Sequence, residues 1–156
     1  MRRSALSRRF IYGNKENIEL NKSLCEYVAL RVWGEPNDFG PCGSMGVLSG
    51  DRLLGAVVFH GWQPEYGTIE LSAAADSPLW LSRATIREIM DICFKQHGCQ
   101  QILSRIEAGN DRALKIYDFL GFTRIRLPNM RGRGVDEILM LLTDTEWQAN
   151  KLARFL

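Results

Sequence analysis

The spacing of apolar residues changes several times along this chain, and each change marks an element. Between Ile18 and Trp33 they recur at roughly helical intervals (Ile18, Leu20, Leu24, Val28, Leu30, Val32). This predicts an amphipathic helix, with Asn14 or Asn17 as its cap and Gly34 with Pro36 as its stop. Before it, "FIYG" predicts a short strand. After the Pro/Gly-rich "GEPNDFGPCG" (Gly34 to Gly43) the pattern turns to strands. "SMGVLS" and "RLLGAVVFHGW" flank "GD", a hairpin signal, and "PEYG" turns the chain into "TIELSAAA". A second helical period runs from about Ser82 to His97 through Ile86, Ile89, Met90, Cys93 and Phe94, with Gly98 placed to end it. "QQILSRIEA" predicts a strand. "NDRALKIYDFLGF" predicts a helix with Leu114, Phe119 and Leu120 inward and Arg112, Lys115 and Asp118 outward. "TRIRL" and "DEILMLLT" close the strands, and "DTEWQANKLARFL" predicts a short helix capped by Asp144.

The order is strand, helix, three strands in a meander, helix, strand, helix, two strands. Antiparallel strands leading into strand–helix–strand units predict a mixed central sheet with helices on its faces. The expected fold class is therefore α/β (α+β), one domain over residues 9–156 behind a basic arm of residues 1–8. No repeat or low-complexity tract interrupts it.

Composition narrows the function classes. With 46% hydrophobic and 24% charged residues the chain reads as a globular protein. No apolar run approaches the ~18 residues of a membrane span. The basic start "MRRSALSRR" is followed by no apolar run of signal-peptide length, so a cytoplasmic protein is expected. A net charge of +2 is too small to imply nucleic acid by itself. Its distribution is more suggestive. Arg2, Arg3, Arg8 and Arg9 crowd the start, and Arg124, Arg126, Arg131 and Arg133 cluster near the end, either as solvated faces or as contacts for an anionic partner. Cys25, Cys42, Cys93 and Cys99 make no CxxC pair or zinc spacing, and only His60 and His97 accompany them. No metal site is expected; reduced thiols, two of them buried, are.

The run Asn110, Ala113, Tyr117 and Gly121-Phe122, set between two strands, resembles the C-terminal half of the GNAT acyltransferase superfamily. The element order resembles the whole GNAT fold, from about Arg9 to Trp147. The resemblance implies an acetyl-CoA-dependent N-acetyltransferase that passes an acetyl group to a primary amine by direct attack in a ternary complex. One stretch departs from the pattern. The family's acyl-CoA loop carries closely spaced glycines, whereas "ADSPLWLSRATIR" (Ala75 to Arg87) has none. This loop resembles a glycine-poor branch encoded by phages and prophages, in which the Mom protein modifies DNA bases.

Acyl transfer from a thioester needs a grip on the cofactor, an oxyanion stabiliser, a proton donor and a proton acceptor. For the grip, the helix N-terminus near Ser82 offers backbone N–H groups to an anion, and Arg83 and Arg87 lie one turn apart to add phosphate contacts. Both arginines also read as ordinary surface residues, and Trp80 reads as a packing residue. For the oxyanion, the small residues of "SAAA" leave a strand end accessible, so the N–H groups of Ala73 and Ala75 could polarise the thioester carbonyl. In the fold it resembles, the cofactor's pantetheine arm lies where the fourth and fifth strands splay. For the donor, Tyr117 is a phenol able to reprotonate a leaving thiolate, and a mid-helix tyrosine also reads as core. Asn110 caps that helix or bonds the pantetheine amides. For the base, Glu70 shares a strand face with Ser72 and Ala74, opposite Ile69, Leu71 and Ala73; His60, Glu107, Asp136 and Glu137 are the other candidates.

By the same resemblance the acceptor would meet "RVWGEPNDFGPCG" and "RLPNMRGRGVDE", the second offering Arg131 and Arg133 as substrate contacts. Two rival readings stand beside an N-acetyltransferase. One is a nucleic-acid-modifying enzyme, of Mom type or directed at charged tRNA. The other is a binding module that kept the fold without the cofactor. A homodimer through the last strand or the apolar tail (Trp147, Leu152, Phe155, Leu156) is a further expectation, with docking of that tail on its own chain as the alternative.

Overall fold

Strand propensity and turn chemistry assemble the sheet in the order of the sequence, with one exception at its end. Residues 8–156 are described in the computed structural model of the chain, so Arg2, Arg3 and most of the expected arm lie outside the described residues. The elements are β1 (Arg8–Gly13), α1 (Ile18–Trp33), β2 (Cys42–Ser49), β3 (Arg52–Gln63), β4 (Thr68–Ala75), α2 (Arg83–Asp91), β5 (Gln101–Glu107), α3 (Asp111–Phe119), β6 (Thr123–Leu127), β7 (Glu137–Thr143), α4 (Asp144–Ala149) and α5 (Lys151–Arg154). Among the described residues the strands form one seven-stranded mixed sheet in the order β1-β2-β3-β4-β5-β7-β6. The expected α/β class holds. No helix among the described residues is long and apolar enough to cross a membrane.

Two compact units share the chain. One takes in the described residues within Met1–Gly61, with Ser72–Ile89; the other takes in Trp62–Leu71 and Met90–Leu156. In the first, β2 pairs antiparallel with β1 and with β3, and a bulge at Val47/Leu48 bends the hairpin. Its core is Leu24 and Val28 of α1 against Ala56 and Val58 of β3, with Ile11, Leu53 and Phe39 packed around them. Arg31 pins the end of α1: its guanidinium makes paired bonds of 2.8 and 2.9 Å to Asp76 and lies 3.4 Å from the Tyr27 ring centroid. The buried stripe of α1 is narrower than its periodicity suggests. Ile18, Leu30, Val32 and Trp33 are exposed, because only Leu24, Val28 and Ala29 reach the sheet.

In the second unit, β4 runs parallel to β5 over Thr68–Glu70 and Gln101–Leu103, and β7 is antiparallel to β5 and β6. Because β7 is bonded on both sides, it offers no free edge, which corrects the expected pairing of two copies through the last strand. Ile69, Ile102, Met140 and Leu142 are fully buried, and Trp147 docks there on its own chain at 9% exposure. Phe155 stays 73% exposed.

Four local expectations change. Phe119, expected inward, is 64% exposed, because α3 turns Leu114 and Tyr117 to the core instead. The α2 helix ends at Asp91 and continues as a π-type turn over Ile92–Gln96, so the helical period to His97 is two kinds of helix. Asn17 precedes α1 without a side-chain cap; Asn14 Oδ1 accepts from the amides of Glu16 and Asn17. Thr143, not Asp144, caps α4, in a reciprocal capping box with Glu146.

Close approach in the first unit requires glycine at position 13. A Cβ there would sit 2.4 Å from the Asn21 Cα and 2.3 Å from Ser44 Oγ, and backbone cannot yield as a side-chain tip can. Gly13→Ala should therefore cost ~1–3 kcal/mol through overpacking, read as a lower denaturant midpoint at unchanged slope. Gly43→Ala, whose Cβ meets nothing nearer than 3.5 Å, should change stability by less than ~0.5 kcal/mol. Equal effects of the two would refute the close-approach account.

Candidate active site

Helix α3 sets the first candidate in place. Asn110 Oδ1 accepts from the Ala113 amide at 3.2 Å, and Asp111 adds a carboxylate to the first turn. At the other end Gly121, at φ 92°, lets the chain turn into Phe122, whose amide bonds the Tyr117 carbonyl. Phe122 then meets the Tyr117 ring edge-on, with centroids 5.0 Å apart. The helix thus buries Tyr117 while its hydroxyl reaches β5.

There the hydroxyl lies 2.8 Å from Ser104 Oγ, and Ser104 donates to the Leu71 carbonyl at 2.8 Å. A serine has one proton and a carbonyl only accepts, so Tyr117 donates to Ser104. Burial above all raises the Tyr117 pKa; the Ser104 hydroxyl, able to turn and donate to a phenolate, offsets part of this, and the charge of Glu70 adds to it. At neutral pH the group is a phenol with a proton to give and a lone pair open to a further donor.

The carboxylates of this unit form a cluster with two arginines. Glu70 Oε1 stands 3.6 Å from Arg105 Nε, and Arg105 Nη1 donates to Glu137 at 3.1 Å. Arg131 Nε donates to Glu137 from the other side at 3.2 Å, and its Nη2 donates to the Arg105 carbonyl at 3.0 Å. Glu137 is 5% exposed and ion-paired twice. Glu70 differs: burial raises its pKa, and Arg105, shared and more distant, offsets only part of the shift. Asp136 accepts from Arg126 and from the Asn129 amide, which hold its pKa down, and Glu107 is exposed.

In the first unit, Ala73 and Ala75 are half-buried on β4, and Gly55 on β3 faces Ala75 and Trp80 closely enough to exclude a Cβ. Trp80 is buried, as a packing residue should be. The glycine-free segment folds through serine caps. Ser77 Oγ accepts from the Leu79 amide at the turn Pro78–Trp80, and Ser82 Oγ accepts from Thr85 at the start of α2. Arg83 and Arg87 are exposed on the first turns of that helix. His60 Nε2 lies 2.9 Å from Ser72 Oγ with its ring against Phe39, and burial lowers its pKa to about 4. A groove of about 700 Å³ opens between α1 and residues 36–42, lined in part by Asn21, Cys25, Glu26, Asp38, Phe39 and Cys42.

Glu70 and Arg131 are therefore linked through Arg105 and Glu137, the charge of Glu70 is felt at Tyr117, and Asn110 lies at the head of the helix that carries Tyr117. Ala73, Ala75, Ser82, Arg83 and Arg87 belong to the other unit. Arg133 is exposed in the loop before β7. Of the clustered arginines, Arg124 pairs with Asp118, Arg126 with Asp136 and Arg131 with Glu137. Sequence reasoning missed Ser104 and Arg105. Ser104 was readable as the one polar residue in the alternation Ile102-Ser104-Ile106; Arg105 has no sequence signal, since its partners come from other strands.

No family model matches this sequence, and no curated protein sequence matches it. Solved structures do. Two inferred acetyltransferases, the second from T. thermophilus, align with TM-scores of 0.62 and 0.62 at 20% and 19% identity. Those alignments cover 79% and 80% of this chain and 66% and 67% of theirs. Spermidine N-acetyltransferase from Vibrio cholerae, in complex with CoA and spermine, aligns at a TM-score of 0.69 and 15% identity over 90% of this chain and 98% of that one. At such identities the likeness is one of fold: this chain has the fold of these acetyltransferases.

The neutral, half-buried imidazole of His60 makes stability depend on pH in a known direction. Its pKa falls from 6.5 in the open chain to about 4 when folded, so between those values the unfolded chain binds a proton that the folded one does not. The contribution is whole above 6.5 and is lost as pH falls toward 4. Thermal unfolding across that window should lose less stability in His60→Gln than in the wild type. Parallel losses would place the acid sensitivity elsewhere.

Proposed function

We propose that the chain is an N-acetyltransferase that moves an acetyl group from acetyl-CoA to a primary amine by direct attack in a ternary complex. The observation that carries this reading is the Tyr117 hydroxyl, buried yet held by Ser104 as a phenol, on a fold shared with acetyltransferases. Acetyl-CoA supplies the activated thioester. The residues present suit it in kind. Hydrogen bonding within α2 begins with the Ile86 amide to the Ser82 carbonyl, and Ser82 Oγ takes the Thr85 amide. The amides of Arg83 and Ala84 lie ahead of these, and with the Arg83 and Arg87 guanidinium groups they form the proposed phosphate grip. Ala73 and Ala75 are the proposed backbone donors to the thioester carbonyl, and Asn110 a proposed contact to the amides of the arm.

Glu70 is the proposed base. Its raised pKa suits a carboxylate that takes a proton from an ammonium ion on its way to a nucleophilic amine, directly or through water. Tyr117 is the proposed acid. Its proton goes to the leaving sulfur, and Ser104 turns to stabilise the phenolate left behind. Arg133, exposed in its loop, is the proposed outer contact to the acceptor, with Arg131 bracing the loop through Glu137. The glycine-free stretch before Arg87 is the basis for placing the chain in the glycine-poor, phage-like branch. A nucleic-acid substrate is the weaker alternative, because Arg124, Arg126 and Arg131 are each matched by a carboxylate.

Calorimetric titration with acetyl-CoA and CoA tests the reading first. Binding of both is expected, within about twofold in Tyr117→Phe, while turnover with a panel of primary amines falls by ~10²-fold or more in that variant. In the wild type, kcat/KM should rise with pH through a carboxyl pKa above the ordinary glutamate value, and Glu70→Gln should lose that limb. No binding at high micromolar ligand would overturn the acetyltransferase and leave a binding module.

A further inference from the structure

Two cysteines from separate elements of the first unit meet in its groove. Cys25 on α1 and Cys42 at the start of β2 stand with their sulfurs 3.5 Å apart. Both are half-buried free thiols, and both line the groove of about 700 Å³. A disulfide needs about 2.05 Å, so the sulfurs must approach by roughly 1.5 Å, a side-chain adjustment rather than a movement of the helix. The remaining cysteines, Cys93 and Cys99, are only 0% and 2% exposed.

The two thiols are not equivalent. The Asn21 side-chain amide donates to the Cys42 carbonyl at 3.2 Å and reaches Cys42 Sγ at 3.8 Å. Cys25 feels the negative charge of Asp38. Burial first, then the bond to Cys42 and the charges of Cys42 and Asp38, push its pKa up to about 12. Two of those causes vanish once Cys42 is oxidised.

We propose that Cys25 and Cys42 form a reversible redox pair in this groove, in which Cys42 reacts first with a peroxide and Cys25 then closes an intramolecular disulfide. In the first step the Cys42 sulfur attacks one oxygen of hydrogen peroxide. The O–O bond breaks, giving a Cys42 sulfenic acid and water. In the second the Cys25 sulfur attacks the sulfenic sulfur, the S–O bond breaks, and the departing hydroxide takes the Cys25 proton as water. Two thiols lose two electrons and one peroxide becomes two waters; a small thiol such as dithiothreitol reverses the bond. The new link ties α1 to β2 and fixes the wall of the groove. This chemistry is independent of acyl transfer.

The test treats the full chain with stoichiometric hydrogen peroxide, alkylates the remaining thiols, digests without reductant and analyses the peptides by mass spectrometry. The expected product joins the peptides bearing Cys25 and Cys42, two hydrogens lighter than their sum, and disappears with dithiothreitol. Cys93 and Cys99 should be alkylated only after unfolding. The oxidised wild type should melt several degrees above the reduced form, and Cys25→Ser should show no such rise while dimedone traps a sulfenic acid at Cys42. Passage of Cys42 to sulfinic acid without a crosslink would overturn the proposal. So would a crosslink to another cysteine, or no oxidation of either thiol. Should the variant fail to fold, the wild-type crosslink decides alone.

Discussion

A parallel ladder of three residue pairs, and the serine hydroxyl that takes over where it ends, fix the chemistry-bearing part of this fold. After Glu70↔Leu103 the Leu71 carbonyl is met by the side chain of Ser104. A buried carbonyl left without a donor costs about 1–3 kcal/mol, so while Tyr117 is a phenol the proton of Ser104 is directed at the backbone carbonyl. What Ser104 has left is a lone pair, and the Tyr117 hydroxyl uses it. The position of the phenol thus follows from a backbone requirement on a neighbouring strand. Such a hydroxyl is held more firmly than one aimed by its own rotamer alone.

The same strand sets the two carboxylates apart. Glu137, 5% exposed, is ion-paired by both Arg105 and Arg131. Glu137 is the buried member of both pairs and loses compensation if either arginine is removed, so these arginines are structural first. Arg105 turns its nearer contact to Glu137, 3.1 Å against 3.6 Å for Glu70. Glu70 is left with burial that outweighs its ion pair, and its pKa rises. Two glutamates in one cluster therefore differ in setting: Glu137 is ion-paired twice, whereas for Glu70 burial outweighs its pairing with Arg105. That difference arises from where a single arginine sits.

Most of the fold was legible in the sequence, because the elements carry strong local signals: the Gly50-Asp51 hairpin, the period of α3, the glycine stops at Gly34 and Gly121. Thr143 was legible too, as the first residue of a Thr-x-x-Glu capping box, but the adjacent Asp144 competed for the same role. The rest depended on tertiary packing. Periodicity says that α1 is amphipathic and not how wide its buried stripe is, so Ile18 and Val32 read as core and are exposed. Nothing local announces that β7 slots between β5 and β6, or that α2 widens into a π-type turn that buries Cys93. Within the candidate site, Tyr117, Asn110 and Glu70 were readable by motif and face. Ser104 and Arg105 act through partners far away in sequence, and only the assembled sheet brings those partners near.

The glycine-free segment after β4 is held by side-chain caps rather than by glycine turns. Closely spaced glycines let several amides converge on a phosphate without Cβ interference. Here the segment is tied down instead: Asp76 by the Arg31 guanidinium, the Leu79 amide by Ser77, the Thr85 amide by Ser82. Each serine cap removes one amide from what a ligand can use. An anion at the head of α2 would meet the Arg83 and Ala84 amides and the dipole of a nine-residue helix. The remaining attraction must come from side chains, and Arg83 and Arg87 lie one turn apart on that helix. Guanidinium contacts are longer in reach and more screened by salt than a nest of amides. A grip built this way trades the rigidity of a glycine loop for charge.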